Sequence, residues 1–354
     1  MIRILDWYIG RAIVSSTFFA LLVLTALSGL IRFVEQLRLI GRGSYVMADA
    51  SVYVILSVAR DLEIFFPMAA LLGGLLGLGA LATNSELIVM QAAGMSKLDI
   101  IKSVMKTTTI MVVSVLLVGE FLAPKMEQTA NKLRDQAIYG DNAEQAAQSI
   151  WLKDGAKFVH VGDSNDIAHL RDITIYDFSD ELKLTQVVHA QEAIFSEKFW
   201  VLTQLAITDV KSDSVRRYEQ DNLIWQSNIT PDKLAVVSTS PESLSLVELS
   251  DYLDYLDHNE QDASRYQLAF WRKIFQPITV AVMMLMALSF IFGPLRSTSM
   301  GARILLGVMT GFGFFIANRI FGPVVLVYSI PPVIGAIMPS IIFTAIALHL
   351  LKKQ

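Results

Sequence analysis

The chain has 354 residues, of which 53% are hydrophobic and only 18% charged, against about 25% charged in ordinary soluble domains. Its net charge of −4 gives no bulk attraction to nucleic acid. The absence of cysteine excludes thiol catalysis, cysteine-ligated zinc, iron–sulfur clusters and disulfides.

Three apolar runs come first, at residues 12–31, 64–82 and 107–119. Three more follow at 274–295, 304–318 and 331–351, after a mostly polar insert over 124–267. A helix needs about 20 apolar residues to cross a bilayer core, so the pattern predicts six spans, TM1 to TM6, and one extramembrane domain. The first run is too long for a signal-peptide core and is read as a retained helix. Residues 50–84 read as one helix, longer than a bilayer core is thick, with Pro67 inside it. Gly73 and Gly77 in TM2, and Gly307 and Gly311 in TM5, have the spacing that admits a close neighbour. Polar residues 125–139 are helix-compatible and extend TM3 as a stalk.

Within the insert, residues 157–161, 168–178, 182–194, 199–210 and part of 218–225 alternate apolar with polar. Turn residues at 162–165 and 179–180 separate them, which predicts a β-sandwich or barrel. After Pro231 the period changes: Leu246, Leu249, Leu253 and Leu256 mark a helix starting near residues 241–243.

One set of short connections carries Arg3, Arg11, Lys97, Lys102, Lys106, Arg296, Arg303, Lys352 and Lys353. The other carries Arg32, Arg38, Arg42, Arg60, Arg272 and Lys273, diluted by Glu35, Asp49, Asp61 and Glu63. The positive-inside rule puts both termini in the cytoplasm and the insert outside.

No phosphate-binding G-x-x-x-x-G-K-[ST], no G-x-S-x-G and no H-E-x-x-H occurs. His160, His169 and His189 read as surface-strand residues. Charges deep in the spans are few, which argues against ion-coupled transport. Two constellations remain. Between TM2 and TM3, Asn84 or Ser85 can cap a short helix ended by Gly94, with Leu87, Met90 and Gln91 on one face. Glu86 in its first turn either completes the cap or meets a partner. Where TM1 emerges, Arg32, Glu35, Gln36 and Leu39 share a helical face, with Arg38 and Arg42 at its edge. Arginines there suit an anionic lipid head group through forked contacts, or snorkel and pair with Glu35.

The stretches FFPMAALLGGLLGLG at 65–79, SELIVMQAAG at 85–94, TPDKLAV at 230–236 and FQPITVAVMMLMALSFIFGP at 275–294 resemble the lipopolysaccharide-export permease family of Gram-negative bacteria. They are closer to its G-type than its F-type subunit, and the likeness runs along essentially the whole chain. It implies a polytopic α-helical protein of the bacterial inner membrane with six transmembrane helices and an inserted periplasmic all-β domain, a β-jellyroll. The domains are then 1–123, with a coupling helix at 85–93; the β-jellyroll and its flanking helices at 124–267; and 268–354. The resemblance further implies a permease subunit of an ATP-driven transporter. It would take lipopolysaccharide from the outer leaflet of the inner membrane to a periplasmic protein bridge. The implied partners are a homologous F-type permease, a cytoplasmic ATPase dimer, a single-span C subunit and an A-type bridge protein. The chain itself is then no enzyme and holds no cofactor, because ATP and Mg are bound by the ATPase. The ATPase-contacting glutamate corresponds to Glu86, beside Leu87, Met90 and Gln91. The head-group contacts correspond to Arg32, Arg38 and Arg134; Leu39 stands where the family places a further lysine. For an apolar cavity between TM1 of one permease and TM5 of the other, this sequence offers Phe18, Phe19, Leu24, Leu27, Phe312, Phe314 and Phe315. A membrane receptor remains a reading that would need no coupling helix. A lipid-modifying enzyme would have to use Asp61 and Glu63, read here as interfacial charges.

Overall fold

The computed structural model describes residues 4–140, 150–166, 168–179, 181, 183–196, 198–211, 214–237, 240–292 and 299–352. Arg3, Arg296, Lys353, Asp180, Leu182 and the end of the fourth apolar run at 293–295 lie outside them. Six of the described helices are long and apolar enough to cross a membrane, and the chain is a multi-pass membrane protein with an inserted β domain. It divides into two compact units. One comprises Met1–Gln36, Val54–Ala130 and Ser264–Gln354; the other, Leu37–Tyr53 and Asn131–Ala263.

The helical unit is built on α1 (Ile4–Leu37), α2 (Met47–Thr83), the short α3 (Glu86–Ala92), α4 (Lys97–Leu117), α8 (Ser264–Phe292), α9 (Met300–Val327) and α10 (Pro332–Lys352). At 37 residues, α2 is about 55 Å long, as its sequence predicts. The expected extension of TM3 is also present. A π-helical turn, Val118–Leu122, joins α4 to α5 (Ala123–Tyr139) in one continuous rod. α4 starts with a capping box, in which Ser96 Oγ accepts from Asp99 N and Asp99 accepts from the Ser96 backbone. The glycine pairs work differently. A Cβ on Gly73 would overlap the Thr17 backbone of α1, and one on Gly77 would press on the Ala12 carbonyl. Gly307 and Gly311 make room for side chains of α2 instead.

The second unit centres on one antiparallel sheet in chain order: β1 (Ile150–Asp154), β2 (Lys157–Asp166), β3 (His169–Phe178), β4 (Leu184–Ser196), β5 (Phe199–Lys211) and β6 (Ser214–Trp225). β1 is absent from the sequence reading, because five residues holding one buried side chain, Leu152, show too little alternation. The turn expected at 162–165 is strand. Gly162, Asp172, Gln191 and Gln204 fall in a row that the ladder skips, between paired residues on either side. At this row the inward alternation slips by one residue: Leu170 and then Ile173 are buried in β3, and Leu202 and then Leu205 in β5. Asp172 and Gln204 take left-handed backbone conformations there, and a Cβ on Gly162 would strike Asp172. The row is a bend across the sheet, and its composition reads as a turn.

A short helix α6 (Pro231–Val237), a 3₁₀ turn at Pro241–Ser243 and α7 (Leu246–His258) follow. Ser245 and Glu248 form a capping box at the start of α7. Trp200, fully buried, donates to the Ile229 carbonyl at 2.7 Å. Tyr255 of α7 donates to the Lys153 carbonyl of β1 at 2.6 Å, and Asn259 accepts from Gly155 N at 2.7 Å.

Burial, with Asp154 nearby, pushes the Tyr255 phenol from its ordinary value of 10 up to about 12. The folded form holds this proton more tightly than the unfolded chain does. The resulting stability is therefore complete below pH 10 and is lost as pH rises from 10 toward 12. It amounts to at most about 3 kcal/mol. Urea unfolding of the full chain in detergent, followed by tryptophan fluorescence, should show this loss, and Tyr255→Phe should flatten it.

Candidate coupling and lipid-contact sites

A seven-residue helix is not stable alone, and α3 is held by its apolar side. Leu87 and Met90, expected on a docking face, are buried in the core of the helical unit. The apolar side chains left open are Ile88 and Val89, with Glu86 and Gln91 half-buried. The cap also differs from expectation. Ser85 is left-handed at φ 61° and its side chain caps nothing, while Gly94 closes the segment at φ 99° as anticipated. Glu86 is instead held from two sides: Tyr8 of α1 donates to Oε2 at 2.8 Å and Asn84 Nδ2 donates to Oε1 at 3.3 Å. Lys106 of α4 pairs with Asp6 at 3.2 Å. The start of α1 thus touches both α3 and α4.

In the same unit, three charged residues of α2 bind three other helices. Asp61, 1% exposed, pairs with Arg32 at 2.7 Å. Arg60 pairs with Glu127 of α5 at 2.8 Å, and Glu63 with Lys273 of α8 at 3.7 Å. Lys273 also donates to the carbonyl of Gly119 in the π-helical turn, at 3.3 Å. Arg32 therefore meets a buried aspartate rather than Glu35, and Asp61 and Glu63 are anchors rather than loose interfacial charges. Their sequence signal was three charges within four residues of an otherwise apolar helix.

In the other unit, α1 has ended at Leu37, so Leu39 is off the helical face expected for it. Arg38 is exposed and makes no ion pair among the described residues. Arg134 Nε pairs with Asp135 at 3.0 Å, its Nη1 donates to Tyr53 Oη at 3.2 Å, and its guanidinium lies 5.1 Å from the Tyr53 ring centre.

The apolar residues expected to face a cavity divide. Phe18, Phe19, Leu27 and Phe312 are exposed, and Leu24 is half-buried against the core. Phe314 is buried edge-on against Phe343 of α10, and Phe315 stacks on Phe65 of α2. A helix that is apolar all round does not reveal which side faces a neighbour.

Among the described residues no group of three or more His, Asp or Glu could hold a metal ion. His189 contacts Thr174 at 3.2 Å, while His169 lies 3.8 Å from Glu192. What remains is a small anchored helix with a poised carboxylate, an open apolar face on α1, and arginines at the far end of α1. Residues 7–353 match the family described as "Lipopolysaccharide export system permease LptF/LptG". The chain belongs to the LptF/LptG family. It is 47% identical to the lipopolysaccharide export system permease protein LptG of Escherichia coli strain K12, over 99% of this chain and 98% of that one. It is 43% identical to the protein of the same name from Haemophilus influenzae strain Rd, over 100% of this chain and 99% of that one. Both the helical halves and the β insert of this LptF/LptG chain are thus covered.

The Arg32–Asp61 pair gives a direct test of the anchoring. Asp61→Asn and Arg32→Met should each destabilise the chain in detergent by about 3–5 kcal/mol. Together they should cost clearly less than the sum. Additive effects would show that the pair does not hold α1 to α2.

Proposed function

We propose that this chain is a permease subunit of lipopolysaccharide export, a transport component rather than an enzyme. The full-length match to relatives named as LptG carries the assignment. In the finer reading it lies in the inner membrane with both termini cytoplasmic and the β domain periplasmic, as the distribution of lysine and arginine supports. It pairs with a homologous F-type permease on a cytoplasmic ATPase dimer, which binds ATP and Mg. A single-span C subunit and an A-type bridge protein complete the assembly.

The described geometry supports a division of labour along α1. Glu86, Ile88, Val89 and Gln91 form the accessible side of α3, and these would meet the ATPase. Phe18, Phe19, Leu27 and Phe312 present open apolar surface suited to acyl chains. Arg32, Arg38 and Arg134 supply charge for phosphates. A lipid phosphate at Arg32 would compete with Asp61, which moderates its grip. A transporter needs sites that bind well enough to load and weakly enough to release. Closure of the ATPase on ATP would move α3, narrow the cavity and push the lipid toward the β domain. The lipid cannot drive its own exit, so the work comes from that two-state coupling.

ATP-dependent release of lipopolysaccharide from proteoliposomes holding the co-expressed complex tests this. Glu86→Ala should lower release at least tenfold while the permeases remain assembled. Arg38→Glu, which leaves the Arg32–Asp61 pair in place, should reduce photo-crosslinking to lipid and spare basal ATP hydrolysis. A fully assembled wild-type complex that releases nothing would overturn the assignment.

A further inference from the structure

Arg303 lies in the first turn of α9 and is 2% exposed. Its Nη1 donates to the Gly79 carbonyl at 2.6 Å and to Thr83 Oγ1 at 2.9 Å, both in the last turn of α2. A guanidinium there meets the negative end of the α2 dipole, which favours the charge. A Cβ at Gly79 would sit 3.1 Å from Nη1, so the glycine leaves room for the contact. Ser299 caps α9 by accepting from Ala302 N, which fixes the turn that carries Arg303.

The contact is one end of a seam. Residues 303, 307, 311 and 315 follow one another at four-residue spacing along a single face of α9. They meet α2 in antiparallel order: Arg303 at Gly79 and Thr83, Gly307 at Leu75 and Leu72, Gly311 at Met68, and Phe315 stacked on Phe65 with ring centres 6.2 Å apart. Side chains of α2 fill the places that the two glycines leave open, so the helices interlock over most of their shared length. Only Asn84 and Ser85 separate α2 from α3, and the left-handed Ser85 makes that link a tight turn.

We propose that Arg303 is a positioning residue that pins α9 to the end of α2, so that displacement of α3 reaches α9 as movement of one rigid pair. The proposal rests on the coupling role of α3 given above. It makes the α2–α9 pair the lever between the ATPase and the lipid-facing surface around Phe312. Packing alone would hold the two helices together. The charged contact fixes their register at the end nearest the moving element, where a slip would absorb the stroke.

The assembled complex in proteoliposomes tests the pin. Arg303→Met should lower ATP-dependent lipopolysaccharide release at least tenfold with ATP hydrolysis within twofold of wild type. Arg303→Lys should recover part of the release, and Thr83→Val should fall between. Wild-type release by Arg303→Met, or a parallel loss of hydrolysis and release, would overturn the proposal. A second measurement does not depend on the arginine. Phe65→Cys with Phe315→Cys, in a chain that has no other cysteine, can be bridged by a short bis-methanethiosulfonate, which forms a reducible disulfide with each thiol and releases methanesulfinate. Release should continue when the pair is bridged. A block that reduction reverses would show that the helices must part, which the lever forbids. Spin labels at exposed Leu117 and Val327 separate this test from the export reading. A nucleotide-driven distance change in wild type that Arg303→Met abolishes supports the pin even if no lipid is released. A change that survives in Arg303→Met overturns it.

Discussion

The helical unit depends on the backbone contact between α1 and α2 at Gly73 and Gly77. The two helices meet with Thr17 against Gly73 and Ala12 against Gly77. A methyl group at either position would force the backbones apart. That contact sets the antiparallel register for the full length of α1. It brings Tyr8 to Glu86 at one end and Arg32 to Asp61 at the other. On its other sides α2 receives Met284 and Ala287 of α8 at Gly74, and α9 at Gly79. Each glycine admits a different neighbour, and α2 is the mast around which α1, α8 and α9 are placed.

Electrostatics complete what packing begins. Arg60, Asp61 and Glu63 lie within one turn or so of α2 and point to α5, α1 and α8. Apolar side chains would bury there at less desolvation cost, but they would not distinguish one helix from another. Oppositely charged partners partly do, because Arg60 would repel Arg32 and Lys273, and Glu127 would repel Asp61 and Glu63. The π-helical turn contributes to the same junction. Its widened geometry leaves the Gly119 carbonyl free to accept from Lys273.

Much of this was legible in the sequence. The six spans, the length of α2, the rod from α4 into α5, most strands and α7 follow from apolar period and length, which the backbone must obey. The rest required neighbours. Ser85 has a capping residue's identity, yet its left-handed backbone turns the side chain away from the helix end. Leu87 and Met90 share a face, but period cannot tell whether that face meets a partner or the chain's own core. Phe312 is open while Phe314 is buried, two residues apart on a helix with no polar side to orient it. Asp61 reads as an interfacial charge until Arg32 is seen against it. The row of Gly162, Asp172, Gln191 and Gln204 has turn chemistry because it bends a sheet, and only strand pairing separates that from a loop.

The three charged residues of α2 also bear on how the protein is made. A helix carrying Arg60, Asp61 and Glu63 leaves the ribosome with one of its counter-charges already present, Arg32, 29 residues earlier. Glu127 arrives 67 residues after Arg60. The contact from α8 comes last, with Gln276 separated from Glu63 by 213 residues and the whole β sheet synthesised between them. Glu63 therefore waits through the longest part of translation for its partner. The charged junction of α2 is thus completed by α8 only after the β domain has been produced, and α9 and α10 are added to the helical unit after it.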